Sequence, residues 1–137
     1  MFLGEYSPNM TEGSRIALPK KIREQINSES VVLTKGFEKC IYIYDKEDWQ
    51  EQAEKQIENS KQDVKNAKIR DLERYLYASA TEASVDTQGR LVLPANLLEY
   101  AGITSRTAVV GVGNRVEVWG YKKWKDHMNK ISEDLSE

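Results

Sequence analysis

The chain repeats itself, and that repetition limits its folds more than any other feature. Sliding the sequence by 75 positions pairs Arg15 with Arg90, Leu18 with Leu93 and Pro19 with Pro94. The same shift, without a gap, pairs Glu24 with Glu99, Gly36 with Gly111 and Trp49 with Trp124. Apolar character is kept between Ile16 and Leu91, Ile22 and Leu97, Ile41 and Val116, and Ile43 and Val118. One copy supplies about three short strands and a helix of one or two turns, too little to close a core or cover its strand edges. Two copies interleaved in one chain can do both, so the repeat predicts one pseudo-symmetric domain rather than two beads.

Each copy reads alike. A turn leads into a short apolar strand, RIALP or RLVLP. Pro19 and Pro94 then fall where a helix begins, because the first helical position needs no N–H donor. The segments KKIREQIN and ANLLEYAG carry Ile22, Ile26, Leu97 and Ala101 at helical spacing and end on Asn27 and Gly102, residue types suited to a left-handed cap. Two strands follow, joined in each copy by a tight turn, GFEK or GVGN, in which glycine is expected to supply positive φ. No helix follows Gly111-Val112-Gly113, so it reads as a hairpin turn and not a nucleotide loop.

Between the copies, Trp49, Ala53 and Ile57, then Ile69, Leu72 and Leu76, mark two helices that break near Asn59-Ser60. Trp124, Met128, Ile131 and Leu135 mark another in the tail. The expected layout is a first repeat over 5–47, a helical connector over 48–78, a second repeat over 79–122 and a C-terminal helix over 123–137. These stripes pack either on the chain's own barrel or on a neighbouring subunit; taken as exposed, Trp49, Ala53, Ile57, Trp124 and Met128 are more apolar surface than a small monomer needs, which predicts self-association.

The inventory for catalysis is poor. His127 is the sole histidine and Cys40 the sole cysteine, so neither a metal-ligand spacing nor an internal disulfide is available. A lone cysteine fits a reducing cytoplasm. No apolar run approaches the roughly 20 residues of a membrane span, and MFLGEYSPNM lacks the pattern of a secretory signal. No enzyme, cofactor, metal, membrane or small-molecule substrate is expected. The net charge of −2 argues mildly against nucleic acid, although a whole-chain sum can hide a basic face.

The informative constellation is Asp86-Thr87-Gln88-Gly89-Arg90 with Pro94 beyond it. Asp86 can accept backbone N–H bonds two residues on, and Gly89 has the φ freedom a reversal needs. Arg90 then stands at the mouth of a strand. It either pairs with Asp86 to staple the loop, or reaches outward, where its planar fork binds phosphate or the O6/N7 edge of guanine.

D-x-x-G-R-x-x-x-P in the second copy, TEGSRIALP in the first, the opening MFLGEY and the two-copy layout resemble the MraZ family, within the AbrB-like, swapped-hairpin transcription regulators. The resemblance covers nearly the whole chain. It implies a mainly β fold with helices, a swapped-hairpin β-barrel with a pseudo-two-fold axis. It also implies a regulator of the bacterial division and cell-wall gene cluster that binds double-stranded DNA at repeated sites upstream of its own operon. Members are similar in forming rings and associating with the nucleoid. Carried over by position, the DNA-binding residues are Arg15, Arg90, Ser14, Gln88 and Gly89, and the loop-organising ones Asp86, Thr11, Pro19 and Pro94; Lys20 and Lys21, beside the first loop, read equally as phosphate contacts in the DNA-binding set and as ordinary helix-surface residues. The first loop departs from the pattern, with Thr11 for the usual aspartate and Ser14 for the usual glycine, and Glu12 adds negative charge. In the second, Gln88 stands where lysine is usual. Arg23 adds to the basic charge around the first loop. The competing readings are an AbrB-type antitoxin and a protein-binding scaffold ring.

Overall fold

In a computed structural model that describes residues 1–61 and 65–136, the chain is mainly β with helices. Residues 62–64 of the expected connector and Glu137 of the expected tail lie outside the described residues. The elements in chain order are β1 (Glu5–Tyr6), β2 (Arg15–Ala17), α1 (Lys20–Arg23), β3 (Ser30–Lys35) and β4 (Ile41–Asp45). Then come α2 (Lys46–Ser60), α3 (Asn66–Ala78), β5 (Thr81–Ser84), β6 (Arg90–Val92) and α4 (Ala95–Ala101). β7 (Thr107–Gly111), β8 (Val116–Gly120) and α5 (Tyr121–Leu135) complete the order.

Six strands form one antiparallel sheet in the order β1-β7-β8-β4-β3-β5, and β2 pairs with β6 in a separate two-stranded ribbon. This corrects the closed barrel expected from sequence. The sheet ends on β1 and β5 without joining them, and the ribbon lies over the sheet instead of extending it. The registers are symmetric in the repeat. Tyr42 faces Glu117 in β4–β8, and Ile16 faces Leu91 in the ribbon, so each stands opposite its own counterpart 75 positions on. Early strands are completed by late ones and the reverse: β7 pairs with β1, and β3 with β5.

Alternation along the strands gives the sheet two buried faces. Ile41, Ile43, Val109, Val116 and Val118 point to a core shared with Ile16, Leu91, Ile22 and Leu97, so the ribbon, α1 and α4 roof that side. Tyr42, Tyr44, Val110 and Trp119 point the other way, where Trp124 of α5 and the half-buried Trp49 of α2 cover them. Here the expectation of an exposed apolar stripe fails. Ala53, Ile57 and Trp124 are buried within the chain, and Trp49 and Met128 pack against the second core. The helices close the far face of their own sheet, a use that periodicity alone does not separate from a subunit interface.

Other local corrections have local causes. α1 is a single turn ending in right-handed backbone at Glu24, so Asn27 is no left-handed cap, while Gly102 is one, at φ 65°. Pro19 and Pro94 are the N-cap residues, one position earlier than expected, and their carbonyls accept the first helical N–H bonds. In the β3–β4 turn the positive φ belongs to Lys39, not Gly36, whereas Gly113 supplies it between β7 and β8. Gly36 is a matter of space, since a Cβ there would meet Cys40 Sγ and the Tyr42 ring.

Asn27 has another task. Its N–H and that of Ser28 donate to the Asp45 carboxylate, at 2.6 and 3.2 Å. Asp45 is 2% exposed, and burial pushes its pKa up, but the hydrogen bonds from Ser28 and Asn27 outweigh that and hold it below the ordinary carboxylate range. A depressed carboxylate contributes stability above its unfolded pKa of about 3.9, lost as pH falls through the lower folded value. Asp45→Ala is therefore expected to cost about 1–3 kcal/mol at neutral pH by stranding two N–H donors, and to flatten the acid limb of stability. Urea melts of both proteins between neutral and strongly acidic pH check it; an unchanged acid limb contradicts it.

Candidate nucleic-acid interface

The ribbon explains how two arginines far apart in sequence come together. Arg15 faces Val92, and Ala17 faces Arg90. Residues directly opposite, and those two apart on a strand, share a face. Arg15, Ala17, Arg90 and Val92 therefore share the outer face, while Ile16 and Leu91, both fully buried, anchor the ribbon from beneath. From strand spacings the two arginine Cα atoms are roughly 8 Å apart. The two loops also hold each other: Leu18 N–H donates to Gly89 O at 2.9 Å, and Leu93 N–H to Ser14 O at 2.8 Å.

The second loop is organised as its residue types suggest. Asp86 Oδ1 accepts from the N–H groups of Gln88 (2.9 Å) and Arg90 (2.8 Å), and Gly89 bends at φ 78°. Arg90 Nε donates to Asp86 Oδ2 at 3.2 Å, with each side chain about 37% exposed. Stapling and outward reach thus coexist. Nε is tied, and neither Nη has a partner among the described residues. The Arg90 N–H, then the N–H of Gln88 and the guanidinium, hold the Asp86 pKa below its usual range.

The first loop reaches a similar turn with different residues. Thr11 N–H donates to Arg15 O at 2.8 Å, and the Thr11 hydroxyl donates to the same oxygen at 3.2 Å. Ser14 keeps a left-handed φ of 58°, preceded by Gly13 at 77°. Gly13 falls at an unspecified position of the motif, and its one sequence signal is that it is a glycine beside Ser14. Arg15 Nη1 donates to Glu12 O at 3.2 Å, so part of its fork is already used.

The remaining candidates are spread around this face. Gln88 and Ser14 are exposed at the loops, and Gly89 is buried. Lys20 and Lys21 lie on α1, with Lys20 near Glu24 at 3.9 Å on the open surface, a geometry of little energetic weight. Arg23, which in the sequence adds only local charge, lies against Gly89 of the second loop. His127 lies against the Trp119 ring, centroids 4.9 Å apart, as part of the second core's edge. Among the described residues no cluster of His, Cys, Asp and Glu suits a metal ion, and no helix is long and apolar enough to cross a membrane.

A family profile described as "MraZ protein, putative antitoxin-like" matches residues 1–71 and 76–137. The chain belongs to the MraZ family. A relative from Syntrophomonas wolfei, named Transcriptional regulator MraZ, is 40% identical over 137 residues, which cover all of this chain and 93% of the relative. Relatives of the same name from Clostridium tetani and Clostridium acetobutylicum are 37% and 36% identical, each alignment covering this whole chain and 98% of the relative.

The two members of the Asp86–Arg90 pair are unequal in this family member's loop. Asp86 serves two backbone donors as well as the guanidinium, whereas truncating the Arg90 side chain removes only an exposed ion pair. Asp86→Ala is expected to lower the melting temperature more than Arg90→Ala does. Calorimetry of the two variants and the double variant checks this, and equal decreases would contradict it.

Proposed function

We propose that the protein is a sequence-specific, double-stranded-DNA-binding transcription regulator that presents Arg15 and Arg90 to DNA on one ribbon face. The observation that carries this reading is the convergence of those two arginines, one from each repeat, on the exposed side of a ribbon whose other side is locked in the core. Guanidinium forks on a rigid base suit both phosphate oxygens and guanine edges. The relatives' printed name, transcriptional regulator, supports the same class.

In finer terms, the copies at 5–47 and 79–122 form a swapped-hairpin unit about a pseudo-two-fold axis; the symmetric registers through Tyr42–Glu117 and Ile16–Leu91 support this. Ser14, Gln88, Gly89, Lys20 and Lys21 flank the arginines on the DNA, and Asp86, Thr11, Pro19 and Pro94 shape the loops. The protein works in the cytoplasm on the nucleoid, at repeated sites upstream of its own division and cell-wall operon, and acts as a homo-oligomeric ring. The chain's net charge of −2 favours multivalency, because repeated weak contacts sum through effective concentration where one subunit's few cations do not suffice.

The antitoxin reading has one observation in its favour, the wording of the matched family description. Against it, the C-terminal segment is an ordered helix with Trp124 buried and its Nε1 bonded to Glu5 at 2.9 Å, not an extended tail free to wrap a toxin.

Arg90→Ala and Arg15→Ala are expected to remain folded and to lose about 1–3 kcal/mol of affinity each if they read guanine edges. Arg15→Ala should lose the smaller amount, since its Nη1 is partly engaged by Glu12 O. Gel shifts on duplex DNA from upstream of the protein's own gene, across a salt series, check this. Parent-like binding by Arg90→Ala would end the direct-contact reading, and a monomer in light scattering at micromolar concentration would end the ring.

A further inference from the structure

Resting on the DNA-binding reading, a second inference starts where the symmetry between the two loops breaks. Arg23 of α1, in the first repeat, places its guanidinium on Gly89 of the second repeat's loop. An ideal Cβ at Gly89 would lie 2.7 Å from both Cζ and Nε of Arg23. Gly89 is buried under it, whereas Ser14, the equivalent residue of the first loop, is exposed. The position equivalent to Arg23 is Leu98, a half-buried residue packed on the first core, so no cation from the other repeat covers the first loop, where the guanidinium lying on the loop glycine, Gly13, is that of Arg15 itself.

The guanidinium is held at a defined angle. Arg23 Nε donates to Leu18 O at 3.0 Å, and Leu18 N–H donates in turn to Gly89 O at 2.9 Å. One backbone unit of the ribbon thereby ties the arginine to the loop it covers. Among the described residues Arg23 has no carboxylate within salt-bridge distance and no partner for either Nη. Arg90 repeats the pattern, with Nε fixed on Asp86 and both Nη groups without partners among the described residues. Two guanidinium groups, each oriented through Nε and each open at its terminal fork, thus lie on consecutive residues of one loop. Such forks match the tetrahedral oxygens of a phosphodiester, and fixing them beforehand reduces the entropy cost of binding.

We propose that Arg23 is a DNA-backbone ligand: it binds a phosphate of the strand on which Arg90 sits, making the second loop the stronger of the two DNA contacts. Gly89 is then required for a second reason besides its φ of 78°, because any side chain there would displace the guanidinium.

The test uses the full chain with Arg23→Gln, Arg23→Lys and Arg90→Ala. Binding is followed by fluorescence anisotropy on a labelled duplex from upstream of the protein's own gene and on a shuffled duplex of equal length, over a salt series. Arg23→Gln is expected to weaken binding about tenfold on both duplexes alike. Its log–log salt slope should become shallower by about 0.9 for each phosphate that a bound subunit no longer neutralises. Arg23→Lys, which keeps the charge, should retain the parent slope and recover part of the affinity. If Arg90→Ala weakens binding while Arg23→Gln keeps the parent affinity and slope, the phosphate role is overturned and the DNA-binding reading stands. If Arg23→Gln lowers the melting temperature and affinity with an unchanged slope, Arg23 is only a strut, which also overturns the proposal. Parent-like binding by all three variants would overturn both the phosphate role and the direct-contact reading of the ribbon face, and a parent protein that binds neither duplex would overturn the DNA-binding reading itself.

Discussion

Everything in this molecule hangs on the pairing of β4 with β8. Each repeat brings a hairpin, β3–β4 or β7–β8, whose inner edge strand, β4 or β8, is unpaired until the two meet, and an unpaired edge is a row of unsatisfied backbone groups open to aggregation. Joining the two hairpins edge to edge, with Tyr42 opposite Glu117, satisfies both at once and sets the two-fold relation of the registers. The joined sheet offers one continuous apolar face, Ile41 and Ile43 beside Val116 and Val118, and only a roof drawn from both repeats covers it. That roof includes the ribbon carrying the arginines. The spacing of Arg15 and Arg90 is therefore a remote consequence of how two hairpins meet.

Glu117 itself shows what that junction demands. It is 5% exposed at the centre of the sheet, a position that would be costly for a lone carboxylate. Arg115 donates to it from Nε at 2.9 Å and lies over the Tyr42 ring, while Trp119 Nε1 donates at 2.9 Å to the other oxygen. Both oxygens of the carboxylate are engaged by donors along its own stretch of chain, and the Arg115 guanidinium over the Tyr42 ring carries the set across to β4. Removing Arg115 alone would leave Glu117 as an uncompensated buried carboxylate, which is more destabilising than replacing the pair together.

Much of this is legible in the sequence because repetition is a long-range signal carried by many residues. The ungapped match places the strands, the short helices and both loops, and it singles out Arg15 and Arg90. The convergence of those two on one face is not legible, because it depends on strand register, which no local motif encodes. Arg23 escapes for the same reason: its partner Gly89 belongs to the other copy, 66 residues away by chain number. The Trp49 and Trp124 stripes are helical, as their spacing predicts, but periodicity reports that a face is covered, not by what. At Asn27 and Gly36, residue type misleads about conformation. The first is an N–H donor to Asp45, the second leaves space that a ring fills, and Lys39 takes the strained φ.

The pairing of β1 with β7 ties Glu5 to Val110 and Tyr6 to Val109. During synthesis the amino-terminal residues leave the ribosome first, yet the strand that receives them is made only after more than two-thirds of the chain. Until β6 and β8 are made, β3–β4 carries uncovered edges and Ile16 has no Leu91 to meet. Such a topology cannot fold vectorially, segment by segment. Its core closes only once β6, β7 and β8 have been made, and until then the unpaired edges of β3–β4 are open to misassembly.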